Sequence, residues 1–183
     1  MTLRATALAL LTALAISPAA ADQNDPGLDD LFERLLKAPD LSTVQPIEAD
    51  IWQLWYAHED TAVQILMQRG AEAMGRGDPQ SAMKAYDQVV AIAPGFAEGW
   101  NRRATLNYMI GDYRASLADI DKTLALEPRH FGALSGRGLV YAQLEEWDLA
   151  LESFEKALQV HPKMTGPRRN VEAIRHLLKE QEI

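Results

Sequence analysis

Large apolar residues return along this chain at intervals of three and four. From residue 63 onward they do so in blocks closed by Pro94, Pro128 and Pro162, each 34 residues from the next. Setting each proline at position 32 divides the chain into windows 63–96, 97–130 and 131–164, whose columns agree without insertion. Position 4 holds Leu66, Trp100 and Leu134; position 8 holds Gly70, Ala104 and Gly138; position 20 holds Ala82, Ser116 and Ala150. Tyr86, Ile120 and Phe154 share position 24, and Ile92, Leu126 and Val160 share position 30. Small residues recur where two helices must approach closely, and bulky ones recur where a side chain must fill the gap between them. Turn residues at Gly77-Asp78-Pro79, Gly111-Asp112-Tyr113 and Glu145-Glu146-Trp147 split each window into a helix A over positions 1 to 14 and a helix B. Helix B stops just before the proline, which cannot continue it. No strand period fits these columns, so the expected fold is all-α, more than about 60% helical and without a sheet.

One helix hairpin cannot bury its apolar face alone, so stacked neighbours make the core and the ends need caps. At the C-terminal end, residues 165–183 carry Val171, Ile174, Leu177 and Leu178 at helical spacing, which predicts a capping helix lying on Phe154 and Leu158. At the N-terminal end, one short amphipathic helix is predicted over Leu28 to Lys37 and another from about Pro46 to Ala57. In the same 34-residue register Phe32 falls at position 4 and Trp52 at position 24, so residues 29–62 read as a degenerate leading repeat, with 22–28 as a flexible tail. Together these make five helix pairs or fragments of pairs in one solenoid.

The columns resemble those of the tetratricopeptide repeat (TPR) family, whose 34-residue unit carries a bulky residue at 4, small residues at 8, 20 and 27, an aromatic at 24 and proline at 32. Asn107 stands where position 11 is usually aromatic, Val89 and Thr123 stand where position 27 is usually alanine, and Arg69, Arg103 and Arg137 fill position 7, where leucine is commonest. The resemblance implies a right-handed solenoid of three full repeats. Its concave face would be lined by positions 2, 5, 9, 12 and 13 of helix A.

Residues 1–21 carry a different pattern: Arg4, an apolar run from Ala5 to Ile16, a Ser17-Pro18 break and Ala19-Ala20-Ala21. The run is too short to cross a bilayer and has the order of a cleavable export signal, with cleavage expected after Ala21. The chain of 183 residues has no cysteine, which excludes a disulfide scaffold, a thiolate metal site and a cysteine nucleophile. Its formal charge of −8 argues against a nucleic-acid partner held through phosphates.

Several short motifs have plain structural readings. Arg76-Gly77-Asp78 spells an adhesion tripeptide but occupies the turn between two predicted helices. Gly136-Arg137-Gly138 lacks the strand and third glycine of a phosphate loop, and Ser135 lacks the strand and elbow of a hydrolase nucleophile. His58, His130, His161 and His176 have no metal-helix spacing, so neither a metal nor a cofactor is expected. The arginine column is expected to pair with acidic groups on helix B, Asp119 being the natural partner of Arg103, rather than to present cations to an anionic ligand.

The groove positions supplied by the resemblance include Gln64, Met67 and Met74 in the first repeat, Glu98, Asn101, Thr105, Tyr108 and Met109 in the second, and Ser135 and Leu139 in the third. An apolar, methionine-rich floor with a few hydrogen-bonding groups suits an extended peptide or amphipathic helix, unless neighbouring helices bury those methionines. The clamp of Lys, Asn and Arg by which some TPR proteins capture chaperone tails is absent: the corresponding places carry Met67, Ala71, Arg102, Gly132 and Gly136. From Leu28 onward, including Ile51-Trp52 and the run from Glu127 to Gly136, the chain resembles short secreted TPR proteins of alphaproteobacteria linked to cell-envelope integrity. That resemblance implies a non-catalytic periplasmic scaffold for a protein or peptide partner. The alternatives are a carrier for a small apolar or lipidic ligand, which would need a closed pocket, or an auxiliary subunit of an envelope enzyme.

Overall fold

The computed structural model of the protein describes residues 22–181, so the expected export signal over 1–21 lies outside the described residues. Nine helices and no strand are present among them: α1 (Gly27–Lys37), α2 (Leu41–Tyr56), α3 (Thr61–Gly75), α4 (Pro79–Ile92), α5 (Ala97–Met109), α6 (Tyr113–Leu126), α7 (Phe131–Gln143), α8 (Trp147–Val160) and α9 (Thr165–Gln181). Helices α3 to α8 form three antiparallel hairpins, each packed on the next through α4 against α5 and α6 against α7, and α9 closes the array against α8. The first helices α5 and α7 also touch each other directly, which puts the A helices on the inner side of the solenoid.

The turns form for local reasons. Gly77 and Gly111 adopt φ values of 70° and 82°, the left-handed conformation that glycine takes without steric penalty. The aspartate after each glycine then caps the next helix, Asp78 accepting from the backbone N–H of Ser81 and Asp112 from that of Ala115. In the third repeat Glu145 is forced to φ 60° and Glu146 makes no side-chain cap. The small-residue column works as a socket: a Cβ added to Gly70 would stand 2.3 Å from the Tyr86 ring, and one added to Gly138 would stand 2.6 Å from the Phe154 ring. Val171 and Ile174 of α9 are buried with Ala150 and Phe154, so the last helix covers the apolar end of the third hairpin.

The N-terminal segments depart from expectation. Residues 22–28 are not a free tail. The Gln23 amide donates to the Gly95 carbonyl at 2.7 Å and accepts from the Ala97 N–H at 3.1 Å, and Leu28 is buried. Nor does the segment 29–62 stack on α3 as a leading repeat; α1 and α2 pair with each other, and α2 runs against α5 on the inner side. The physical reason lies in the register. Positions 8, 20 and 27 of that segment are Leu36, Glu48 and Trp55, bulky or charged where a repeat needs a socket. The hairpin instead buries its own cluster of Leu28, Leu31, Phe32, Leu35, Val44, Ile47, Ile51 and Trp55 together with Phe131 from the start of α7.

Candidate functional site

The inner face is built around the seat of the α1–α2 hairpin. The Trp55 indole stacks on the His130 imidazole at 4.1 Å and 9°, and Trp52 meets His130 and Phe131 edge-on. Gly132 leaves the space for this, since a Cβ there would stand 2.8 Å from the Trp52 ring. Arg102 of α5 lies under α2 with its guanidinium 4.4 Å from the Tyr56 ring centre. Arg129 holds α1 by a 2.7 Å contact to Asp29 and by lying 4.3 Å over the Phe32 ring. Each large apolar side chain buried in this seat contributes about 1.5–3 kcal/mol. The hairpin therefore forms one wall of the site.

Beneath it lies a closed polar network. Glu98 has no exposed side chain. Its carboxylate accepts from Asn101 Nδ2 at 2.8 Å, from Arg102 Nε at 2.5 Å and from His130 Nε2 at 3.0 Å. His130 Nδ1 meanwhile accepts the N–H of Ala133 and so caps α7, which fixes the tautomer with its proton on Nε2. Burial on its own would raise the Glu98 carboxyl, but the His130 hydrogen bond, the Arg102 charge and the Asn101 amide together outweigh it and hold the group below its ordinary value. These charges satisfy one another and face inward, away from any ligand.

What stays open is a cleft between α5 and α7. A cavity of about 220 Å³ lies there, walled by Ala104, Ile120, Gly132, Gly136, Leu139 and Met164, with Thr105, Tyr108 and Ser135 around it and Asn101 at its edge. No charged side chain lines it. Ser135 also borders a shallower depression of about 430 Å³ between α2 and the start of α9, where Glu48, His161 and Lys163 stand. A chain lying in the first can continue over Ser135 into the second.

Of the residues expected in the groove, Asn101, Thr105, Tyr108, Ser135 and Leu139 therefore come together at one cavity. The others do not join them. Met67 is buried with Val63, Tyr86, Val89, Phe96 and Leu106, and Met74 packs against the same cluster. Met109 is 63% exposed at the end of α5, and Gln64 is exposed with its amide donating to the His58 carbonyl. The methionine-rich floor is thus corrected: the methionine in the cleft is Met164, from the connection into α9, which a reading of helix A positions could not reach. Asn101 is also more committed than its groove position suggested, being 7% exposed with its amide spent on Glu98.

The arginine column behaves as structural pairing at its centre. Arg103 holds Asp119 through two bonds of 2.9 and 2.8 Å and reaches Asp87 at 2.9 Å, while Asn107, in place of an aromatic, donates to the same Asp119. Arg137 bonds the Ser153 hydroxyl instead, and no acidic partner lies within 4.0 Å of Arg69 or Arg137 among the described residues. No group of His, Asp and Glu with metal-binding geometry occurs among them either, and no helix is long and apolar enough to cross a membrane.

The comparisons with known proteins agree with this architecture. The tetratricopeptide repeat family model matches residues 132–164. A TPR repeat-containing protein of Rhizobium etli is 36% identical over 135 residues, covering 74% of this chain, which in turn spans 66% of the length of that relative. Among solved structures, the first TPR domain of Spaghetti (RPAP3) bound to the HSP90 peptide SRMEEVD superposes with a TM-score of 0.64 at 18% identity, over 66% of this chain and 96% of that one. The second TPR domain of human RPAP3 in complex with the HSP70 peptide SGPTIEEVD gives a TM-score of 0.59 at 20% identity, over 62% and 95%. With its 34-residue columns, its stacked helix hairpins and these relatives, the chain belongs to the tetratricopeptide repeat family.

Proposed function

We propose that this protein is a non-catalytic periplasmic scaffold that holds a protein or peptide partner in the cleft between α5 and α7 and supports cell-envelope integrity. The observation that carries the reading is the convergence of Thr105, Tyr108, Ser135 and Leu139 on one uncharged cavity that the α1–α2 hairpin leaves open. A cleft of that composition buries apolar side chains and offers hydroxyls to a peptide backbone as it leaves water. The two TPR domains named above were solved with peptides, which supports peptide capture on this architecture. The periplasmic part rests on the order of residues in segment 1–21, whose short apolar run and small-residue end have the form of an export signal.

Replacing Thr105 and Tyr108 with alanine tests the cleft directly. Thr105 is exposed, and Tyr108 is half-buried against the cluster of Ala104, Ile120, Ala133 and Val140, so the double change costs some packing but leaves the helices in place. Capture of the partner from an envelope fraction should fall at least tenfold while helical circular dichroism is retained and the melting point falls only modestly. Retention of capture would remove the cleft from the account. Fractionation with sequencing of the mature N-terminus tests the compartment, the expected result being a periplasmic chain that begins at Asp22.

A further inference from the structure

We infer that the α5–α7 cavity is an anchor pocket for a single bulky, uncharged apolar side chain of the partner, leucine-like or aromatic, and not a seat for an acidic tail. This rests on the reading that the partner lies in that cleft and goes on to specify what it must present there. Three observations carry it. First, the size fits: apolar cavities of about 150 Å³ accept a benzene ring, and this one measures about 220 Å³. Second, the lining is uncharged and predominantly apolar: seven of its twelve residues are apolar or glycine, Ile120, Leu139 and Met164 among them, and the other five are neutral polar residues, with no cation. A carboxylate brought here would lose its water without gaining a charge partner. Of the cations on neighbouring segments, Arg102 is already bound to Glu98 and lies against Tyr56, and Lys163, in the adjoining depression, donates to the Pro39 carbonyl. Third, the room comes from a deliberate absence. A Cβ on Gly136 would meet only Ile120 Cδ1, at 3.9 Å, whereas Gly138 in the same helix is a socket for Phe154. Gly136 therefore answers no packing need of the fold, although glycine inside a helix is less favourable than alanine. Its effect is to keep the pocket empty for a guest.

Hence Gly136→Leu should fill the pocket from within and raise the helix propensity of α7. Binding and stability are then expected to move in opposite directions, which a merely damaging substitution does not produce. The probes are N-acetyl-leucine amide, N-acetyl-tryptophan amide and N-acetyl-glutamate amide, titrated into the ¹⁵N-labelled full chain and followed by NMR. The leucine and tryptophan amides should give saturable shifts at the amides of Ala104, Thr105, Gly132 and Gly136, with the glutamate amide at least tenfold weaker. In Gly136→Leu those shifts should vanish while the melting temperature rises. Equal or stronger binding of the glutamate amide, or no cleft shifts with any probe, overturns the proposal. That comparison needs only the unmodified chain, so it holds even if Gly136→Leu folds poorly. The two readings also fail differently. If Thr105→Ala with Tyr108→Ala abolishes partner capture but Gly136→Leu captures normally, the cleft stands and the anchor pocket is wrong. If capture ignores all three changes, the cleft reading itself falls.

Discussion

Gly132 and Gly136 are one turn apart in α7, yet the structure assigns them opposite responses to the same added methyl group. At Gly132 the new Cβ would lie 2.8 Å and 3.2 Å from two atoms of the Trp52 ring and 3.3 Å from His130 Cε1. Neither neighbour can yield easily. Trp52 is held edge-on against Trp55 and Phe131, and His130 is fixed between Trp55, Glu98 and the Ala133 N–H. Overpacking of this kind costs about 1–3 kcal/mol. Against it stands the better helix propensity of alanine, worth about 1 kcal/mol in a helix interior and less at the second residue of a helix, where Gly132 sits. Gly132→Ala should therefore lose about 0–2 kcal/mol, whereas Gly136→Ala, whose Cβ meets one methyl at 3.9 Å, should gain up to about 1. Because the propensity gain is largely shared, the difference between the variants is the overpacking cost, about 1–3 kcal/mol, which corresponds to about 2–12 °C in melting temperature for a chain of this size. Urea unfolding followed by tryptophan fluorescence measures it, and Gly132→Ala should also change the near-ultraviolet dichroism of the stacked indoles. Equal stability of the two variants, with unchanged indole signals, would refute the seating of α2 on the inner face.

Three further outcomes follow from the same geometry. Glu145 carries a left-handed φ of 60° where the other repeats have glycine, so Glu145→Gly should stabilise by about 0.5–1 kcal/mol in thermal or urea unfolding, the relief of strain exceeding the added chain entropy. Glu98→Gln should cost about 2 kcal/mol at pH 7, less than a fully buried pair because Arg102 keeps some exposure. Since the folded Glu98 carboxyl lies below its ordinary 4.5, its contribution is complete above about pH 4.5 and is lost as the pH falls through the folded value. The gap between Glu98→Gln and the unaltered chain should close on acidification, read as unfolding midpoints against pH. Deleting residues 165–183 should uncover Phe154 and Ala150, giving concentration-dependent association in sedimentation and a lower melting point.

The repeat array was legible because its determinants are local and recur. Gly70 with Tyr86 and Gly138 with Phe154 are the contacts that positions 8 and 24 anticipated, and Asp119 is the partner expected for Arg103. The α1–α2 hairpin resembles a repeat in two columns, Phe32 and Trp52, but Leu36, Glu48 and Trp55 violate three others, and the violations are the stronger signal. Where α2 went instead depended on a contact 80 residues away in sequence, Trp52 against Gly132, which no periodicity encodes. The same limit explains Met67. A helical period assigns a residue to a face but does not say which neighbour covers it, and here Val63, Tyr86 and Phe96 do. Glu98 shows the converse, a charged groove position withdrawn into the core by three partners drawn from its own helix and from His130.

Site-specific photocrosslinking in cells producing the full chain tests the central claim most directly. A benzophenone side chain placed at Leu139, in the wall of the cleft, is compared with one at Lys122, exposed on the outer helix α6. The account predicts a discrete adduct with a partner polypeptide from Leu139, suppressed by Thr105→Ala with Tyr108→Ala, and none from Lys122. Adducts from Lys122 alone, or from both positions regardless of those substitutions, would contradict it.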